Sequence, residues 1–329
     1  MWNVKIVADS INPQGNRLTT FEVTYPLIIH NEVMTHRKLS RNTASNRAIP
    51  VEKLIQSVID NPFIPEKWPL NQKGMQNDMW ITNEEIKLAC INRWLQARDA
   101  AVQQARYLQA LHVHKQITNR LLGPFLWTTA ILSATDWRNL FNQRCSPMAQ
   151  PEMQKLAGLM FLAYIRNTPK PLKRGQWHTP YVSGDVLGGI PIDDTIAIIE
   201  VLNSQISHYN LMVSSGRCAR VSYLNHGENN TPDNDDALAL RLVESGHWSP
   251  FEHIATPLLV NDFEFLQGNF TGWAQFRKFF PNENREDFIT FDADEFESIY
   301  GPIIDAVYEG DINTRRAAFR EDFERELNR

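Results

Sequence analysis

Residues 20–47, TFEVTYPLIIHNEVMTHRKLSRNTASNR, set the terms for the rest of the chain. Phe21, Val23, Tyr25 and Leu27 alternate with Glu22, Thr24 and Pro26, the two-residue period of a half-buried strand that ends in a loop or helix start. From His36 to Arg47 the chain then carries Arg37, Lys38, Arg41 and Arg47 and no acid. Serine, threonine and asparagine lie between these cations. Such side chains hydrogen-bond phosphate oxygens beside arginine. On charge alone a solvated basic loop is an equal reading; the hydroxyls and amides after an apolar strand favour an anion site for a nucleotide phosphate.

The whole chain argues against a broader electrostatic role. Its 329 residues carry a net charge of −5, so no nucleic-acid partner is expected from charge. Hydrophobic residues make up 43% and charged residues 22%, an ordinary globular balance. No apolar run approaches the ~18–20 residues needed to span a bilayer, and the opening MWNVKIVADS lacks the apolar core of a signal peptide. Cys90, Cys145 and Cys218 are few and far apart, which predicts a reducing, cytoplasmic setting without disulfides. With no CxxC and no HExxH, and with His112 and His114 two apart on an expected helix, no metal site is predicted.

Coarse periodicity supplies the frame. Residues 61–80, with three prolines and two tryptophans, read as an irregular excursion. Thr82 and Glu85 have capping-box spacing, and Ile86, Cys90, Trp94, Ala97, Ala101, Ala105, Leu108 and Leu111 follow at helical intervals. A second helix is expected over about 133–144 and a third from Pro151. Residues 168–190, rich in proline and glycine, read as a long loop. Helical pattern resumes over 192–214 and again near 235–245, closing at Gly246. Ala219–Tyr223 is a short apolar stretch, Ile254–Phe265 a candidate strand, and the chain after Pro302 one or two charged helices. The expected fold class is α+β, an antiparallel or mixed sheet flanked by long helices. The chain is expected to form one catalytic unit over 1–329, with a candidate seam at 168–190 separating 1–167 from 191–329.

Two further segments carry chemistry. In Ala134–Arg144, Trp137, Leu140, Phe141 and Arg144 fall on one helical stripe, so an arginine ends an apolar face and needs a partner. Either Glu152 supplies an internal ion pair or a ligand does. Gly246–His253, GHWSPFEH, packs two histidines, a serine and a carboxylate into one turn beside aromatics. There is no GxSxG, no GxGxxG after a strand and no P-loop, so any dinucleotide is held by another device. Cys145 adjoins Arg144, a weak hint of thiol chemistry.

Together these segments resemble the flavin-dependent thymidylate synthase family. The family signature is Arg-His-Arg, seven residues, then Ser; here His36-Arg37, Lys38 to Ala44 and Ser45 reproduce all but the first arginine, with Arg47 two further on. Its Gly-His-x-Ser/Thr-Pro-Phe-Glu-His turn is matched by 246–253 after Ala-Arg-Val-Ser-Tyr at 219–223. Its Asn-x-x-x-x-Arg helix end and Ala-Gln-x-Glu stretch are matched by Asn139, Arg144 and Ala149–Glu152. The resemblance implies a thymidylate synthase-like fold and reductive methylation of dUMP to dTMP by FAD, with NADPH and methylenetetrahydrofolate as co-substrates. It implies that His36, Arg37, Asn139 and Ser249 line the flavin, that Ser45, Asn46 and Arg47 hold the nucleotide, and that Arg120 grips its phosphate. It makes Arg144 the catalytic arginine at the pyrimidine, in a homotetramer whose sites draw on several subunits. Arginine suits that role because its fork is planar and permanently charged, each such contact being worth ~2–4 kcal/mol in the transition state; the cofactor does the difficult chemistry.

Two departures stand out. Thr35 replaces the family's first arginine and Thr43 its usual acid, which opens dCMP as a substrate, a hydroxymethyl product, or an inactive nucleotide-binding homologue. The GHWSPFEH turn follows the His-Arg segment by about 200 residues instead of preceding it, as in a circular permutation. Gln275 and Arg277, in GNFTGWAQFRKFF, are the expected replacements for the missing polar groups.

Overall fold

The β-branched and aromatic run from Arg17 to Pro26 forms strand β2, and Phe21, Val23 and Tyr25 are fully buried on one of its faces. Strand β1, Asn3–Ile11, pairs with it antiparallel through a tight turn. In that turn Asn12 Oδ1 accepts from the backbone N–H of Gln14 and Asn16, and Gly15 takes φ +83°. The structure, a computed structural model, describes residues 1–74, 77–183, 205–223, 231–258, 264–280, 283, 294, 297, 298 and 301. Met1–Glu283 makes one compact unit and Asn284–Arg329 another. The sequence expectations for residues 192–204 and for the C-terminal helices lie outside the described residues.

Five strands form a mixed sheet in the order β3-β4-β2-β1-β5. Strand β3 is Ser40–Thr43, β4 is Trp127–Ala134 and β5 is Lys170–Pro171; only the β1–β5 pair is parallel. One face buries Phe21, Val23 and Tyr25 with Ala130, Leu132 and Ala134 beneath helices α5 (Arg138–Arg144) and α6 (Pro151–Arg166). The other packs Ile131 against Trp177, Leu211, Met212, Trp248 and Phe251. Complete burial of one such side chain stabilises the fold by about 1.5–3 kcal/mol. Helix α1 (His30–Met34) links β2 to the basic segment, and α2 (Val51–Asp60) packs on the long α3 (Glu84–Ala110). Helix α4 is Lys115–Thr118. Beyond the loop come α7 (Gln205–Arg220), α8 (Pro232–Glu244), a 3-10 turn at Ser249–His253, and the hairpin β6 (Ala255–Pro257) with β7 (Trp273–Gln275).

Several boundaries differ from the sequence reading. The helix expected over 133–144 starts at Arg138, and residues 127–134 are a strand. That strand is paired on both sides, by β2 and β3, and packed on both faces, so it shows no polar alternation to reveal it. The N-cap of α3 is Asn83, whose Oδ1 accepts from Ile86 N at 3.0 Å, not Thr82. Of the predicted α3 stripe, Trp94, Ala101 and Ala105 pack inward while Ile86 and Leu111 are exposed. The helix ends before His112, which takes φ +59°. Within the expected strand 254–265, Ala255–Pro257 is a strand and Phe265 sits in a 3-10 turn, while 259–263 lie outside the described residues. The short apolar stretch Ala219–Tyr223 closes α7 with Ala219 and Arg220 and continues as a 3-10 turn over Val221–Tyr223. The helices at Pro151 and before Gly246 match, with Gly246 at φ +69°. No helix among the described residues is long and apolar enough to cross a membrane.

Candidate functional site

Helix α5 leaves the sheet after β4 with Trp137, Leu140 and Phe141 buried, which carries Arg144 to the end of its last turn. There its Nε donates to His36 Nε2 at 3.0 Å and its Nη2 donates to Thr35 Oγ1 at 3.2 Å. The expected alternative partner, Glu152, instead accepts from Gln150 Nε2 at 2.9 Å. Thr35 also donates to Glu32 O at 2.6 Å, closing the C-terminal end of α1. Thr35, read as a missing arginine, is thus a hydroxyl that receives one from α5.

His36 is 6% exposed, and its proton affinity is lowered by burial and by the charge of Arg144, against a hydrogen bond that the ring donates to Asn139. An imidazole that accepts from a guanidinium on Nε2 is neutral. Glu32 lies near the same arginine; burial raises its proton affinity, Arg144 opposes the rise and Glu152 adds to it. Its Oε2 is buried without a hydrogen-bond partner. Arg37 is exposed just beyond His36, and Arg37, Arg47 and Arg120 pair with no carboxylate among the described residues.

The second cluster forms where β3 ends. Ser45 N donates to Ser222 O at 2.9 Å, bringing the basic segment against the Ala-Arg-Val-Ser-Tyr turn. A cleft of about 360 Å³ opens there, lined by Ser45, Arg47, Ala48, His114, Gln116, Ser222 and His247. Asn119 Nδ2 donates to the carbonyls of Asn46 and Ile49 at 2.7 and 3.0 Å, so the 45–49 turn is anchored beside Arg120. His114, Gln116 and Ser222 had no functional reading from sequence. Their contribution depends on chain crossings that spacing does not reveal.

The third contact joins β3 to the GHWSPFEH turn. One corner of the Asn42 amide lies 3.2 Å from Ser249 O, 3.1 Å from Ser249 Oγ and 3.0 Å from Arg41 O. Those carbonyls only accept, so that corner is the NH2 group. Ser249 itself is exposed, with Pro250, Phe251 and His253 buried beneath it. Gln275 is buried, its Nε2 donating to Asn269 Oδ1 at 2.7 Å, Glu252 O at 3.2 Å and Ser40 Oγ at 3.3 Å. Arg277 bridges Glu252 Oε1 and Glu283 Oε2 at 2.6 and 2.7 Å. Both therefore brace the turn that holds Ser249 through its neighbour Glu252.

Residues 35–47 thus touch each of the other segments, Arg144 at Thr35 and His36, Ser249 at Asn42 and Ser222 at Ser45. Exposed donors on Arg37, Arg47, Asn139 and Ser249, with no carboxylate paired to those arginines among the described residues, suit an anionic, carbonyl-bearing ligand.

No family model matches the chain, and no curated protein matches its sequence. Among solved structures it is similar to the UMP/dUMP methylase PolB from Streptomyces cacaoi bound with 5-Br dUMP, at 15% identity over 50% of this chain and 90% of that one, with a TM-score of 0.41. It is also similar to thymidylate synthase X (ThyX) from Helicobacter pylori with FAD and dUMP, at 17% identity over 45% of this chain and 67% of that one, with a TM-score of 0.33.

Proposed function

We propose that this chain methylates a pyrimidine deoxynucleotide at C5 as a flavin-dependent thymidylate synthase, converting dUMP to dTMP with methylenetetrahydrofolate and a nicotinamide reductant. The observation that carries the reading is the Arg144–His36–Thr35 cluster, where a permanent cation from α5 meets the His-Arg segment beside exposed donors. His36, Arg37, Asn139 and Ser249 would hold FAD, which when bound supplies the redox and one-carbon chemistry. Ser45, Asn46 and Arg47, with His114, Gln116, Ser222 and His247 around them, would hold the nucleotide phosphate, assisted by Arg120. Because His36 accepts from Nε and stays neutral, Arg144 keeps its full charge. Its Nη1 group is then directed by the His36 and Thr35 bonds rather than by the ligand, so little reorganisation is needed when charge develops on the ring.

A second reading changes the base. Glu32 Oε2, a buried acceptor without a partner, sits within the field of Arg144. It suits an N–H on the ring edge, either N3–H of uracil or the N4 amino group of cytosine, and so keeps dCMP and a hydroxymethyl product in play.

The test is an absorbance spectrum of the purified protein followed by titration with dUMP and dCMP. Flavin bands that shift with nucleotide, and activity that vanishes in Arg144→Ala, support the reading. The nucleotide that perturbs the bands names the base. Colourless protein that turns over neither nucleotide when supplied with FAD means a binding protein instead.

A further inference from the structure

Beneath the Ser249 turn, on the sheet face away from α5 and α6, runs a line of buried polar side chains that the sequence reading left unused. His253 Nδ1 lies 2.8 Å from Ser133 Oγ on β4, and Ser133 Oγ lies 2.6 Å from Thr20 Oγ1 on β2. Thr20 Oγ1 lies 2.8 Å from His178 Nε2, and His178 Nδ1 lies 2.9 Å from Ser10 Oγ on β1. At the other end, His253 Nε2 lies 3.4 Å from the same corner of Asn42 that faces Ser249 O and Arg41 O. Four adjacent strands and two loops are joined by side chains alone.

We infer that Asn42, His253, Ser133, Thr20, His178 and Ser10 form a one-way hydrogen-bond relay in which both imidazoles carry their proton on Nδ1, and that His178 is a positioning residue for the Ser249–His253 turn. Each hydroxyl has one proton to donate, and a neutral imidazole has one donor and one acceptor nitrogen. With every proton used along the line, direction at one end dictates direction throughout. The Asn42 corner is NH2, because two carbonyl oxygens face it; His253 Nε2 then presents its lone pair to that group. Nδ1–H of His253 donates to Ser133, Ser133 donates to Thr20, Thr20 donates to His178 Nε2, and His178 Nδ1–H donates to Ser10. Turning the amide over would reverse every bond. A mixed arrangement makes one hydroxyl accept twice and leaves its own proton without a partner along the line, in a dry site where an unmade bond costs about 1–3 kcal/mol.

The surroundings agree. The atoms facing the two rings are those of Asn42, Ser133, Thr20 and Ser10, with the Trp273 ring 6.3 Å from His178. None is a carboxylate; Glu252, next to His253 in sequence, gives its carboxylate to Arg277. Burial holds both rings neutral, with proton affinity pushed down to about 3. His178 is also fastened by its backbone, its N–H donating to Ala255 O at 2.8 Å. The relay thus ties β6 and the loop before it to the amide that grips Ser249. Only the consequence for flavin rests on the proposed function; the polarity of the relay does not.

The experiment is nitrogen-15 NMR of the full-length protein labelled at histidine, with His178→Gln and His253→Gln assigning the signals. Both rings are expected to be protonated at Nδ1 and to stay untitrated through neutrality. Asn42→Asp removes the NH2 group, and both imidazoles are expected to switch to Nε2–H, His178 included, although His253, Ser133 and Thr20 lie between. Thr20→Val keeps the size of the side chain and breaks the line; His253 keeps Nδ1–H while His178 becomes a tautomer mixture, and flavin affinity falls severalfold in absorbance titration. Nε2–H in the wild type, opposite tautomers on the two rings, or a His178 signal unmoved by Asn42→Asp overturns the relay. Altered tautomers with unchanged flavin affinity overturn the positioning role alone. Wild-type protein that takes up no flavin removes that role together with the flavin reading, while the NMR result still decides the relay.

Discussion

At Arg144 the protein holds a charge in place without neutralising it. Nε and one Nη2 hydrogen are committed to His36 and Thr35, neither of them anionic, and Nη1 has no partner among the described residues. Arg144→Lys keeps the charge but cannot make both bonds at once, since an ammonium is a point donor rather than a fork. It is expected to lower kcat/KM by about 10²–10³-fold, the loss typical of one transition-state donor, with little change in Tm. Near-wild-type turnover in the lysine variant would remove Arg144 from the chemistry. Arg47 should behave differently, because it lines a cleft and pairs with no carboxylate among the described residues, as the proposed function requires of a phosphate site. Arg47→Ala is expected to weaken nucleotide monophosphate binding by about 1.5–3 kcal/mol, the worth of a charged hydrogen bond. Affinity for the corresponding nucleoside should be untouched, and calorimetry on the two ligands decides it.

Helices α7 and α8 lead into two residues that line the Ser45 cleft, Ser222 and His247. Asp235 is fully buried in the first turn of α8 and receives Arg217 Nε at 3.0 Å and the side chain of Arg220. The close approach needs Gly216: a Cβ there would meet Asp235 O at 2.1 Å. Gly216→Ala should gain up to about 1 kcal/mol of helix propensity and still destabilise the protein by about 1–3 kcal/mol, because backbone rather than a mobile side chain must yield. A urea midpoint equal to or above that of wild type would mean the helices can part freely. This pair also marks the limit of sequence reading. Pro151, Gly246 and the alternation in β2 announce themselves because their signals are local. Gly216 and Asp235 do not, for the reason each matters lies on the other helix. Strand β4 was hidden in the same way, its polar atoms and both faces being satisfied by neighbours distant in sequence.

For the whole molecule, chain order and spatial order diverge. The GHWSPFEH turn comes late in the sequence yet lies on β3, Asn42 against Ser249, so motif chemistry was legible while the path joining the motifs was not. The relay that crosses the sheet adds a property no single motif carries. His178 and His253 bind protons near pH 3 when folded and near 6.5 when free. Between those values the unfolded chain holds more protons, so stability is complete above about 6.5 and falls as pH drops toward 3. Each histidine contributes about 1.4 kcal/mol per pH unit across that window. His30 and His36, also lowered by burial, add in the same direction. The carboxylates of Glu66 and Asp136, held low by Lys155 and Arg138, act only below their ordinary 4.5 and 3.8. Above that range the acid slope belongs mainly to the histidines; Glu32, raised by burial, works against it, and the Met1 amine, lowered by burial, adds to it at higher pH. Urea unfolding near neutrality and again about two pH units lower should give a steep loss in the wild type. In His178→Gln, less stable at neutral pH, the slope should be shallower by one histidine's share. Equal slopes in the two proteins would mean that His178 is protonated, or reached by water, in the native state.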